Sequence, residues 1–210
     1  MIELLLVDDH TIFRAGLKRL ISDEPDMRVA DEAPDGAAAL AKIRSAHYDV
    51  VILDISMAGR NGLDTLAAIR AEKPRLPVLM LSMHNEEQYA LLALRARANA
   101  YLSKDVDAEE LKNAIRQVSK GGLYVTTSIA ASMLLRLEHP GERRPHETLS
   151  PREMQIMMDI VKGKSLTDIG NQMCLSVKTV STYRSRILQK LAVTTNAELV
   201  QYAMRAGLVD

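Results

Sequence analysis

The chain of 210 residues predicts a doubly wound α/β unit, built on a five-stranded parallel sheet, followed by a smaller all-α unit. Three observations carry that prediction. Residues 1–120 alternate short apolar runs with amphipathic stretches, the pattern of βαβ units with helices on both faces of a sheet. Residues 149–210 show only helical periods. Charge divides at the same place: residues 1–124 hold 16 basic and 19 acidic side chains, 125–147 hold three of each, and 148–210 hold eight and five. A formal net charge of 0 therefore conceals an acidic unit (−3) joined to a basic one (+3).

Strands are predicted at 2–7, 28–32, 49–53, 77–81 and 99–102, where the apolar runs fall. Helices lie between them at about 11–22, 36–45, 62–72, 86–96 and 107–119, and Asp107 with Glu110 has capping-box spacing for the last. A Ser/Ala/Leu-rich stretch at about 126–138 reads as a further helix. Residues 139–147 (HPGERRPHE) are polar, carry two prolines and lack periodicity, so they read as linker. The division is thus 1–120, a linker at 121–148, and 149–210. In the last unit Ser150-Pro151-Arg152-Glu153 marks a helix start, with a Ser cap, Pro at the first position and Glu closing the box. Met154, Met157, Met158 and Val161 recur at helical spacing as core, and Gly163 stops the helix. A short helix at about 165–173 turns Leu166, Ile169 and Met173 inward. Cys174-Leu175-Ser176 forms a tight turn, Ser176 caps a helix at 177–191, and a last helix spans about 196–206. Two helices joined so closely form a helix-turn-helix candidate.

Hydrophobic residues at 47% and charged residues at 26% exclude a disordered chain, a rod or a fibre. The apolar runs are far shorter than the ~18–20 residues of a membrane span, and Glu3, Asp8 and Asp9 interrupt the first. No secretory signal and no membrane partner are expected. A single cysteine, Cys174, cannot form an internal disulfide and suits a reducing compartment. Zinc spacing is lacking, and a cytoplasmic protein is the expectation.

The chemistry of the first unit lies at the strand ends. Asp8 and Asp9 follow the first strand, Asp54 the third, Ser82 ends the fourth and Lys104 follows the fifth. A doubly wound sheet brings such positions to one crevice. Three carboxylates there repel one another unless a cation joins them, and hard oxygen donors suit Mg²⁺. Such a pocket is equipped to take a phosphoryl group on one of its own carboxylates, steadied by metal and ammonium. Each residue also has a plainer reading: an Asp capping a helix, a loop serine, a solvated lysine. One polar group at the end of each of four strands is harder to explain in that way.

The order and context of these residues, in "LLLVDDH", "DVVILDISMAGRNGLD", "VLMLSMH" and "AYLSK", resemble the receiver domain of two-component response regulators. The resemblance implies a flavodoxin-like fold in which Asp54 accepts phosphate from a sensor histidine kinase. It implies that Asp9, Asp54 and the backbone carbonyl of Ser56 bind Mg²⁺, with Asp8 acting through water. Ser82 and Lys104 would contact the phosphoryl group, and Tyr101 would match the aromatic that turns inward on activation. Ser56 and His84, two residues beyond Asp54 and Ser82, would flank the path of the hydrolysing water. Ala58 stands where the family has proline, and Arg97 and Ala100 stand where it has glycines. A left-handed Arg97 would cost ~1 kcal/mol relative to glycine.

The helix at 177–191 places Val177, Val180, Ile187, Leu188 and Leu191 on one side and Lys178, Ser181, Thr182, Ser185 and Gln189 on the other. Its charges are Lys178, Arg184, Arg186 and Lys190, with no acid among them, whereas a merely solvated helix would mix signs. That suits a helix in the major groove of double-stranded DNA. The segment "LSPREMQIMMDIVKGKSLTDIGNQMCLSVKTVSTYRSRILQKLAVTTNAELVQYA" resembles the LuxR-type helix-turn-helix, which makes the whole chain similar to the NarL/FixJ family. By that resemblance Ser181, Thr182 and Ser185 stand where bases are contacted, and Lys178, Thr179, Arg184 and Arg186 lie near the backbone. The last helix would carry the contact of a homodimer formed on phosphorylation.

The expected function is phosphorylation-controlled transcription regulation, with no enzymatic turnover beyond self-phosphorylation from a phosphodonor and slow autodephosphorylation. Two other classes compete. A phosphohydrolase of the aspartyl-phosphate type needs an aspartate where Ser56 stands. An adaptor that never touches DNA would lack binding by residues 148–210. Charge attraction between the units would bias a closed state that phosphorylation opens.

Overall fold

The computed structural model describes residues 1–57, 61–83, 87–138, 144–173 and 175–209. The chain forms two compact units, Met1–Leu135 and Arg136–Asp210. Among the described residues no helix is long and apolar enough to cross a membrane.

In the first unit the strands β1 (Ile2–Val7), β2 (Met27–Ala33), β3 (Val50–Asp54), β4 (Val78–Ser82) and β5 (Ala100–Ser103) form one parallel sheet in the order β2-β1-β3-β4-β5. Each lies within a residue or two of its predicted run. The helices α1 (Thr11–Ser22), α2 (Gly36–Ser45), α3 (Gly62–Glu72), α4 (Glu87–Arg95) and α5 (Ala108–Ser119) alternate with them. The central strands are buried throughout, so they read as unbroken apolar runs, as strands covered on both faces must. The strand order reverses between β1 and β3, where Val7 pairs with Leu53. The carboxyl ends of those strands therefore open on one crevice, the place where such sheets bind ligands.

Two details of the first unit depart from expectation. Asp107 caps α5 by accepting from the N–H of Glu109, and Glu110 does not close a box; it accepts from the hydroxyl of Tyr124 at 3.1 Å. Tyr124 also bridges to β5, its N–H donating to Asn99 O at 2.8 Å. The segment just after residue 120 thus packs on the sheet unit. Arg97 does adopt the left-handed conformation (φ 67°), and its carbonyl accepts from Arg70 Nε at 2.8 Å.

A helix α6 (Thr127–Glu138) follows, and the division between the two units falls within it. Of the stretch read as linker, 139–143 lie outside the described residues. Pro145–Thr148 form a 3₁₀ turn that belongs to the second unit. Buried His146 pairs its Nδ1 with the Tyr202 hydroxyl at 2.8 Å, and Arg144 donates to Ala206 O at 3.0 Å. Tertiary contacts order a stretch whose local sequence carries no period.

The second unit consists of α7 (Pro151–Val161), α8 (Leu166–Met173), α9 (Val177–Lys190) and α10 (Asn196–Arg205). The Ser150–Glu153 capping box is closed in both directions. Met154, Met157 and Met158 are core, as are Ile169, Met173, Val180, Ile187 and Leu199. Cys174 lies outside the described residues, but the turn is fixed around it: Leu175 N donates to Gly170 O at 2.8 Å. A Cβ on Gly170 would stand 2.8 Å from Leu175 O, so only glycine lets the turn close this tightly.

Candidate functional site

The crevice of the first unit collects the predicted polar residues. Asp54, at the end of β3, is 1% exposed, and the Lys104 side chain is 2% exposed. The Lys104 ammonium lies 2.7 Å from Asp8 Oδ2 and 3.0 Å from Asp54 Oδ2, and stands over the Phe13 ring at 4.6 Å. Asp8 is buried and Asp9 half-buried. Ser56 N donates to Asp54 Oδ1 at 3.2 Å, while Ser56 Oγ is buried with no hydrogen-bond partner among the described residues. Ser82 ends β4 fully buried. Gly62 backs the pocket: its N–H donates to Ile55 O, and a Cβ there would sit 2.1 Å from Asp54 O. The first turn of α3 can therefore press against the end of β3 only with glycine at this position.

Electrostatics set the state of Asp54. Burial pushes its carboxyl above the usual range, the Lys104 charge pulls it back, and the Asp8 carboxylate raises it again. Asp8, Asp9 and Asp54 each present a carboxylate oxygen, and these atoms lie within 4.8 Å of one another and of His10 Nδ1. Such a donor set fits a hard divalent cation. Tyr101 is buried, so its ring already lies inward. His84 falls outside the described residues, as does Ala58.

Sequence reasoning missed His10, Phe13 and Arg14. Arg14 donates to Asp8 O at 2.6 Å and to Glu32 at 2.9 Å, which braces the first loop from behind. The only sequence signal for His10 is its place directly after the aspartate pair.

The second candidate surface is α9. Ser176 caps it by accepting from Thr179 N at 3.1 Å. Lys178, Thr182, Ser185 and Arg186 are exposed, and Thr179, Ser181 and Arg184 partly so. Thr182 and Ser185 donate their hydroxyls to the carbonyls of Lys178 and Ser181 one turn back (3.0 and 3.1 Å), which leaves oxygen lone pairs outward as acceptors. Two expectations are corrected. Val177 is not core but 46% exposed, at the first position of α9. Lys190, though exposed, is paired with buried Glu153 at 2.6 Å and so is partnered within the unit. Arg184 is likewise held, by Asn196 Oδ1 at 2.6 Å.

Residues 4–116 match the response regulator receiver domain family, and residues 147–203 match the luxR family of bacterial regulatory proteins. The chain is 38% identical over 211 residues to the response regulator UvrY of Escherichia coli strain K12, covering 100% of this chain and 97% of that one. It is 35% identical to the response regulator GacA of Pseudomonas aeruginosa, covering 100% and 99%. Its fold is similar to that of RcsB from Salmonella enterica serovar Typhimurium, solved with promoter DNA and a phosphomimetic, at 22% identity and a TM-score of 0.65 over 96% of this chain and 98% of that one.

Proposed function

The chain belongs to the two-component response regulators that join a receiver domain to a LuxR-type helix-turn-helix, and on that premise we propose that phosphoryl transfer to Asp54 controls DNA binding through α9. The observation that carries the reading is the Asp54 carboxylate, buried at the carboxyl end of β3 and paired with Lys104 at 3.0 Å. An Asp54 oxygen attacks phosphorus on a phosphohistidine of the sensor kinase. The O–P bond forms as the N–P bond breaks, and the departing imidazole keeps the electron pair and takes up a proton. Burial strips water from the carboxylate, which sharpens its reactivity and protects the acyl phosphate formed.

Lys104 already holds the position that balances negative charge on Asp54, and it follows that charge onto the phosphoryl oxygens. The Ser82 hydroxyl donates to the same oxygens. Asp9, Asp54 and the Ser56 carbonyl would hold Mg²⁺, with Asp8 acting through water. When bound, the ion supplies charge neutralisation for the crowded carboxylates and the transferring group. Residues 1–120 serve as the phosphoacceptor domain and 149–210 as the DNA reader, with Lys178, Thr179, Arg184 and Arg186 on phosphates and Ser181, Thr182 and Ser185 toward base edges. Binding as a homodimer to double-stranded DNA places two copies of α9 in successive major grooves. Ser56 stands where a turnover enzyme of the aspartyl-phosphate type needs its acid, which favours a regulator.

The test is intact-mass measurement after incubation with Mg²⁺ and acetyl phosphate. The wild-type chain gains one phosphoryl group, while Asp54→Asn gains none and Asp9→Ala gains little. Normal labelling of Asp54→Asn overturns the assignment.

A further inference from the structure

The crevice contains one donor for which the phosphoryl-transfer reading has no use. His10 occupies the N-cap of α1 with an extended backbone (φ −84°, ψ 97°), yet its side chain makes no capping bond. That position ordinarily favours Ser, Thr, Asp or Asn, whose oxygens satisfy the first N–H groups of a helix. The imidazole turns to the carboxylates instead. Its Nδ1 lies 2.9 Å from Asp9 Oδ1, 3.2 Å from Asp8 Oδ1 and 3.9 Å from Asp54 Oδ2. The backbone N–H of His10 donates to Asp8 Oδ1 at 2.7 Å, so the turn that orients Asp8 also orients the ring.

Donor atoms about an octahedral ion at roughly 2.1 Å stand about 3 Å apart when adjacent and about 4.2 Å apart when opposite. Nδ1, at 2.9 Å from Asp9 Oδ1 and 3.9 Å from Asp54 Oδ2, has the spacing of one coordination sphere with those two ligands. A bound ion would require Nδ1 to offer its lone pair, with the ring proton on the other nitrogen, and the side chain is 60% exposed.

We propose that His10 Nδ1 is a direct metal ligand and sets the metal preference of this pocket toward divalent transition ions. The proposal rests on the reading of the crevice as the metal site for phosphoryl transfer. Mg²⁺ gains little from an imidazole, because it favours oxygen and gives up water reluctantly. Ions of the first transition row gain more, and their affinity for nitrogen-containing sites rises from Mn²⁺ through Co²⁺ to Ni²⁺. Asp9, Asp54 and the Ser56 carbonyl alone would form an all-oxygen site. With His10 the same pocket becomes a mixed nitrogen and oxygen site, and one chain can be loaded with either class of ion.

The experiment uses the full unphosphorylated chain and two probes, Co²⁺ in competition with Mg²⁺ for affinity and Mn²⁺ in pulsed EPR for nitrogen coupling. The wild type is expected to prefer Co²⁺ and to show ¹⁴N coupling to bound Mn²⁺. His10→Ala is expected to lower the preference for Co²⁺ over Mg²⁺ by roughly tenfold or more and to lose the nitrogen coupling. Asp9→Asn is expected to weaken both metals together. If Asp9→Asn loses both metals while His10→Ala keeps the wild-type preference and coupling, the role of His10 is overturned and the pocket reading stands. If Asp9→Asn binds both as the wild type does, the pocket is not the metal site and both fall.

Discussion

The carboxylate pocket of the first unit and helix α9 of the second put charged side chains to opposite uses. In the pocket Asp8, Asp54 and Lys104 are buried, and the one ammonium faces both carboxylates at 2.7 and 3.0 Å. On α9, Lys178 and Arg186 stand exposed with the hydroxyl side chains between them. A buried charge is costly and cannot lose its partner cheaply, so it is found where chemistry needs one particular atom. An exposed basic face costs little and works as a sum of weak phosphate contacts. Lys190 crosses this division, since it lies exposed on α9 yet serves buried Glu153.

The largest expected effect tests that last point. Glu153→Ala removes half of a capping box and leaves the Lys190 ammonium only the Thr148 carbonyl, and should lower stability in urea by about 2 kcal/mol. Lys190→Ala should destabilise less and leave the salt dependence of DNA binding unchanged. Arg186→Ala should instead flatten the salt slope by about one unit. Equal slopes for the two lysine and arginine variants would erase the contrast.

The next test concerns the cost of burial in the pocket. The folded-state pKa of Asp54 lies above its ordinary value, so its contribution to stability is full below about pH 4 and is lost as pH rises through the raised value. At neutral pH the ionised group therefore destabilises the metal-free fold. Asp54→Asn should be more stable than wild type by on the order of 1 kcal/mol at pH 7, with the advantage shrinking as pH falls toward 4. A variant less stable than wild type at pH 7 would mean that Lys104 outweighs burial.

The smallest effect lies away from both sites. Arg97→Gly keeps the carbonyl that Arg70 binds and relieves a left-handed backbone, so thermal unfolding should show a gain of up to about 1 kcal/mol. A loss would mean that the Arg97 side chain makes a compensating contribution.

The same contrast explains what the sequence made legible. The strands were readable because both faces of the sheet are covered, and the pocket because topology places one polar residue at each strand end. Contacts across the chain were not. His10 turns into the pocket through the geometry of one loop, and His146 meets Tyr202 across 56 residues. Periodicity gave α9 its apolar face but could not show that Val177 stays about half exposed, nor that Glu153 claims Lys190.

The central claim is that phosphorylation of Asp54 governs DNA binding by the second unit. Its most direct measurement is the affinity and oligomeric state of the full chain on a duplex with two half-sites, with and without acetyl phosphate and Mg²⁺, beside Asp54→Asn. Phosphorylated wild type should bind more tightly and as a dimer, while the variant should not respond to the phosphodonor. Equal affinity and the same oligomeric state for phosphorylated and unphosphorylated protein would contradict the account.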